Sequence, residues 1–115
     1  MKEFVKNFIG RVKCILYHIK SYGKSVYIGK NTKIIGGKNI KLGNGVKIRP
    51  DNFISCNNDA MLEIYDSVDV GTRSRIISGK KIKIGNDVLI GPNVFISDQD
   101  HRYDNVELPI SKQGV

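Results

Sequence analysis

Residues 34 to 55, "IIGGKNIKLGNGVKIRPDNFIS", and residues 76 to 97, "IISGKKIKIGNDVLIGPNVFIS", are identical at fourteen of twenty-two positions at an offset of 42. Self-similarity at a fixed spacing marks a chain built by stacking one structural unit on the next, because no single unit can bury its apolar side alone. Inside the repeat an aliphatic residue returns every six positions: Ile28 and Ile34; Leu42, Ile48 and Ile54; Ile64, Val70 and Ile76; Ile84, Ile90 and Ile96. Six is neither the 3.6 of a helix nor the 2 of a plain strand. It describes a short strand that points one large side chain inward, then a turn, then another short strand. Three such units close a triangular coil, and successive coils pair as parallel strands.

The remaining positions fit that coil. Gly29, Gly43, Gly71, Gly85 and Gly91 follow the aliphatic directly, and Thr32, Val46, Val68, Ser74, Val88 and Val94 stand four after it. Steps of eight or ten residues between triplets leave room for corner insertions. The pairs Gly36-Gly37, Asn44-Gly45 and Asn57-Asn58 are expected at corners needing positive φ. Because the inner side chains are committed to packing, function must sit on a face, a corner loop or a seam between subunits.

Ahead of the repeat, Phe4, Val5, Phe8, Ile9, Val12, Ile15, Leu16 and Ile19 fall within roughly a 140° arc at helical spacing. Lys2, Lys6, Lys13 and Lys20 gather on one flank. The spacing predicts a basic amphipathic helix over residues 1–22, and it fits either of two settings. One is docking on its own domain or a neighbouring subunit; the other is an anionic membrane surface. His18 lies off the apolar arc and reads as a solvent-edge histidine.

The net charge of +8 is unevenly placed: residues 1–49 hold twelve Lys or Arg against Glu3 alone, and residues 50–115 hold seven against ten acids. The basic half faces an anionic partner or surface. No aromatic platform is interleaved with its lysines, so nucleic acid is not the expected partner, although a nucleic-acid or membrane-surface binding module is a rival reading. Cys14 and Cys56 show neither metal-ligand nor redox spacing and read as free thiols in a reducing cytosol. Lys6, Arg11 and Lys13 interrupt the N-terminal apolar run before it reaches the length of a signal peptide or span. The expected location is cytoplasmic, with the inner membrane face as a peripheral site. Neither a phosphate-binding G-x-x-x-x-G-K-[ST] loop nor a G-x-S-x-G nucleophile elbow occurs.

The pattern stops at "SDQDHRYD", residues 97 to 104, where His101 is the only histidine of the repeat region. From the residues alone the break is either a surface loop or a frame presenting a base. An imidazole suits proton abstraction from a hydroxyl near neutral pH, worth about 10² to 10⁴ in rate. Asp98 and Asp100 flank it as candidate supporting carboxylates. If the loop is extended, residues 100 and 101 point apart, which favours Asp98 or a backbone carbonyl as the group that orients the ring. Arg73 and Arg75 are candidates for binding an acidic sugar or the phosphates of a cofactor, or simply face solvent.

The units "IGPNVFI", "IGNDVLI" and "VGTRSRI" resemble the aliphatic-Gly-x-x-small-x pattern of the hexapeptide-repeat acyltransferases over about residues 23 to 115. That resemblance implies an all-β left-handed parallel β-helix preceded by the N-terminal α-helix, with the repeat over 23–115 ending in a catalytic-type loop at 97–115. The handedness comes from the resemblance, since crossover rules alone favour the right hand. The tail "IGPNVFISDQDHRYDNVELPISKQG" is similar to sugar O-acetyltransferases, including maltose, galactoside, capsule and lipopolysaccharide enzymes. In them the histidine matching His101 is the general base and acetyl-CoA the donor, with no metal. The resemblance also implies a homotrimer with sites between neighbouring prisms, a sugar or glycan-precursor acceptor, and backbone N–H groups at the thioester oxyanion. Many relatives carry histidine where this chain has Gln99. "TRSR", Thr72 to Arg75, stands where galactoside-type enzymes carry a sugar-binding asparagine, so a different acceptor is implied. Family members continue past the loop with further coils that form much of the acetyl-CoA groove, so the resemblance implies a longer enzyme, with this segment inactive alone. A non-catalytic scaffold is the other alternative.

Overall fold

A computed structural model describes residues 3–99, with side chains described from Val5 onward; Met1, Lys2 and residues 100–115 lie outside the described residues. Helix α1 (Glu3–Leu16) leads into twelve short strands, and each circuit of three makes one coil. The first coil is β1 (Ser21–Tyr22), β2 (Tyr27–Ile28) and β3 (Lys33–Ile35), and the second β4 (Ile40–Leu42), β5 (Lys47–Ile48) and β6 (Phe53–Cys56). The third is β7 (Met61–Ile64), β8 (Asp69–Val70) and β9 (Arg75–Ser78), and the fourth β10 (Lys81–Ile84), β11 (Leu89–Ile90) and β12 (Phe95–Ser97). Three parallel sheets result, ordered β1-β4-β7-β10, β2-β5-β8-β11 and β3-β6-β9-β12. The molecule is a three-sided parallel β-solenoid of about four turns.

The six-residue spacing is the register of this coil. Leu42, Ile64 and Ile84 stack in the first sheet, Ile28, Ile48, Val70 and Ile90 in the second, and Ile34, Ile54, Ile76 and Ile96 in the third. Ile40, Leu62 and Ile82 add a second inner row to the first sheet. Each fully buried isoleucine or leucine contributes roughly 1.5–3 kcal/mol, so these columns supply most of the drive to fold. Successive inner residues lie 20, 22 and 20 positions apart, as from Ile28 to Ile48, Val70 and Ile90. The sequence repeat of 42 therefore spans two coils. The two additional residues fall in the Asn57–Ala60 corner, closed by Ala60 N–H donating to the Asn57 carbonyl at 3.0 Å.

At the corner between the second and third sheets the core turns polar. Thr32, Asn52 and Ser74 are buried one above another. Asn52 Nδ2 donates to the Arg49 carbonyl at 2.7 Å, and Ser74 N–H donates to Asn52 Oδ1 at 2.8 Å. The ladder satisfies backbone groups that the sharp turn leaves without sheet partners. Left-handed backbone recurs at these corners, on Asn31, Asp51, Arg73 and Asn93 in one stack and on Ser25, Gly45, Ser67 and Asp87 in another. Gly36 and Gly45 adopt positive φ as expected, whereas Asn57 and Asn58 do not, because their corner is a wider turn.

Tight coil stacking dictates one class of glycine. A Cβ on Gly71 would lie 2.5 Å from the Gly91 carbonyl carbon in the next coil. Gly91, the next member of that stack, and Gly85, directly after Ile84 at another corner of the fourth coil, have no described atom within 4 Å of that position. Leu89 and Phe95, on the outer faces of β11 and β12, are 78% and 60% exposed.

The helix is seated by its small residues. Cys14 is fully buried, and a Cβ on Gly10 would lie 1.8 Å from the Val26 carbonyl oxygen, so helix and coil backbones are in direct contact. Lys13 Nζ donates to the Ile28 carbonyl at 2.7 Å and Tyr17 Oη to the Thr32 carbonyl at 2.6 Å. Docking of the apolar stripe on its own domain is not what the structure shows. Val5, Phe8, Ile9, Val12, Ile15 and Leu16 are all exposed, while Ile19, past the helix end, turns into the core. Both cysteines are free and buried, and burial pushes the Cys14 thiol up to about 11. Among the described residues no helix is long and apolar enough to cross a membrane.

Candidate functional site

The last described strand is β12, whose final residue Ser97 pairs with Ile77 of β9. The chain then reaches Asp98 at the corner between the third and first sheets. There the Asp98 carboxylate takes backbone N–H groups from the coil below: Gly79 donates to Oδ1, and Lys80 and Lys81 donate to Oδ2 at 3.0 and 2.5 Å. Three convergent donors make a small anion nest, which an aspartate side chain fills. Burial raises the Asp98 carboxyl, but the bonds from Gly79, Lys81 and Lys80 outweigh it and hold its pKa below the ordinary carboxylate value. Asp98 thus pins the exit of the last strand to the preceding coil. Gln99 is tucked beside it, its N–H donating to Ser97 Oγ at 3.1 Å and its Cγ lying close over Gly79.

The same corner is polar in the coils below. Asn39 Nδ2 donates to the Asn57 and Asn58 carbonyls at 3.2 and 2.7 Å, and Ser78 Oγ to the Met61 carbonyl at 2.8 Å. Cys56 is buried in this corner, and burial raises its thiol pKa. These bonds fix the platform from which residue 98 departs. His101 and Asp100, the predicted base and its neighbour, lie outside the described residues.

Arg73 and Arg75 are exposed but differently placed. Arg73 occupies a left-handed corner at φ 56°, where the other coils carry Asn31, Asp51 and Asn93. Its Nε donates to Asn93 Oδ1 at 3.2 Å. Arg75 opens β9 on the outer face of the third sheet, in a row with Lys33, Phe53 and Phe95. Its guanidinium lies 4.6 Å from the Phe53 ring centroid, a cation–π pair. Arg75 pairs with Phe95 at one end of the β9–β12 pairing, and Asp98 follows the other end, just past Ser97. Arg73 stands at a different corner from Asp98, so the two arginines do not both join the platform.

Other charged groups escaped sequence reasoning because strand register, not spacing, unites them. Arg49 makes a two-pronged pair with Asp69 on the second sheet, at 2.9 and 2.8 Å. That bond holds the Asp69 carboxyl below its usual range and raises the guanidinium. Lys41 and Lys83, both with exposed side chains, flank the half-buried Glu63 on the first sheet at 3.7 and 3.9 Å. Among the described residues no three His, Cys, Asp or Glu side chains gather as a metal site. No protein-family model, curated protein or solved structure matches the chain.

Proposed function

We propose that the chain is part of a sugar-directed O-acetyltransferase built on a left-handed β-helix, with acetyl-CoA as donor, a sugar or glycan-precursor hydroxyl as acceptor and His101 as general base. The observation that carries this reading is an aspartate clamp on the preceding coil, directly after β12, the last described strand. A loop launched from a fixed point three residues before His101 is a suitable mount for a catalytic base, which needs placement within hydrogen-bond reach of the hydroxyl. The His101 imidazole takes the acceptor proton as the oxygen attacks the thioester carbonyl. The imidazolium returns that proton to sulfur as the C–S bond breaks, so that CoA leaves as the thiol. Since both Asp98 oxygens accept backbone N–H groups, Asp100 or a carbonyl is the better partner for the ring. Arg75, on the sheet that ends in the loop, is a better placed anion contact than Arg73. A trimer with sites between neighbouring prisms is part of the same proposal.

A non-catalytic scaffold is favoured by one observation, namely that Asp98 is engaged structurally. The two readings are separated by incubating the protein with radiolabelled acetyl-CoA and a panel of neutral and acidic sugars and nucleotide sugars. Label transfer that His101→Ala abolishes and His18→Ala leaves intact supports the enzyme. Absence of transfer from the protein carrying its full natural sequence supports the scaffold.

A further inference from the structure

Helix α1 presents its apolar stripe away from the domain that carries it. The seated face is made of Gly10, Cys14 and the polar ends of Lys13 and Tyr17, and at 100° per residue the stripe centres roughly opposite it. Phe8, Ile15 and Leu16 are 61%, 58% and 69% exposed. Solvent-exposed Lys6 borders the stripe on one side and solvent-exposed Arg11 on the other. The coil beneath continues that charge: Lys20, Lys24, Lys30, Lys33 and Lys38 are exposed, and no Asp or Glu occurs between Val5 and Pro50.

We propose that this end of the solenoid docks on an anionic bilayer surface, with α1 lying in the interface and its Phe8, Ile15 and Leu16 side inserted among the acyl chains. Charge complementarity selects the occupant. A second copy brought against the same face would set two acid-free basic rims together, and like charges at a desolvated contact disfavour it. An anionic lipid surface attracts both rims, with each lysine or arginine near it worth about five-fold in partitioning. The apolar stripe alone binds a membrane weakly, and the lysines supply the second attraction that stable peripheral binding requires. The helix sits rigidly because its seat is backbone on backbone, so insertion needs no unfolding of the first coil.

The test uses the whole 115-residue chain and vesicles of phosphatidylcholine, alone or with about 30 mol% phosphatidylglycerol. Cosedimentation should show binding to the anionic vesicles only, weakened by raised salt. The chain contains no tryptophan, so Phe8→Trp reports insertion directly. The emission of that variant should shift to the blue with anionic vesicles and be quenched by brominated lipid. Lys6→Glu with Arg11→Glu, both on exposed positions, should weaken partitioning at least about 25-fold. Phe8→Ser with Ile15→Ser should weaken it about 100-fold or more, with circular dichroism unchanged. The proposal is overturned if the parent ignores anionic vesicles, if either double variant binds as the parent does, or if the indole emission of the Phe8→Trp variant stays fixed. A parent oligomer that the serine variant dissociates, with no vesicle binding by either, assigns the face to contact between copies instead. Acetyl transfer is not involved in any of these readouts, so failure here leaves the enzyme proposal standing, and the reverse holds.

Discussion

Gly71→Ala and Gly85→Ala are the same chemical change, each directly after an inner aliphatic residue but at different corners of successive coils, and their stabilities should diverge. At Gly71 the new Cβ meets the Gly91 carbonyl carbon at 2.5 Å, and the Gly91 oxygen and Pro92 nitrogen at 2.7 Å. These are backbone atoms, so no rotamer change relieves the clash. Ordinary contact begins about 0.9 Å further out, and opening the coils that far stretches the neighbouring bond from Gly71 N–H to the Ile90 carbonyl, now 2.8 Å. Overpacking of this kind costs about 1–3 kcal/mol, and weakening a ladder bond adds about 1 kcal/mol. Gly85 has no described atom within 4 Å, and its φ is not in the left-handed range. Alanine there restricts the unfolded chain and stabilises by about 0.4–1 kcal/mol. Urea midpoints of the two variants and the parent should therefore span about 2–5 kcal/mol, with Gly71→Ala lowest. Gly71→Ala at parental stability would refute the close-stacking account. Equal damage at both sites would show that another segment covers the fourth coil.

Two further outcomes follow from single side chains. Asp98→Ala should destabilise by about 1–2 kcal/mol at neutral pH, since it leaves three N–H groups without their charged acceptor. The folded pKa of Asp98 lies below its unfolded value, so its contribution is present above the ordinary carboxylate pKa and lost as pH falls through the lower folded value. Melting curves of parent and variant should converge in that acidic window and stay apart above it. Arg73→Asn should raise the melting temperature, because asparagine tolerates the left-handed corner that arginine occupies at a cost of about 1 kcal/mol.

Much of the solenoid was legible because its inner residues obey a local rule. Every aliphatic in the six-residue series from Ile28 to Ile96 lies in the predicted column, as the strand register shows. Asn52 was missed as a core residue because it is polar, yet it stands four after Ile48, in the slot of Thr32 and Ser74. That shared slot was the available signal. The orientation of α1 was not legible from its apolar stripe, which ordinarily marks the buried side. Gly10 and Cys14, small residues four apart, were the cue that a backbone packs there. The clamp by Asp98 depended on backbone N–H groups 17 to 19 residues away, whose convergence no spacing rule conveys. Arg73 and Arg75 alternate in sequence but fall on a corner and a strand, because a coil turns every six residues.

The central claim is that the solenoid breaks at residue 97 to present His101 as a base. Its most direct measurement is steady-state acetyl transfer from acetyl-CoA by the protein carrying its full natural sequence, comparing parent and His101→Ala at saturating acceptor, with melting recorded alongside. The account predicts a fall in kcat of about 10² or more, with stability changed by no more than about 0.5 kcal/mol. A His101→Ala protein that keeps parental kcat while melting unchanged would contradict it and leave the segment after β12 as an ordinary loop.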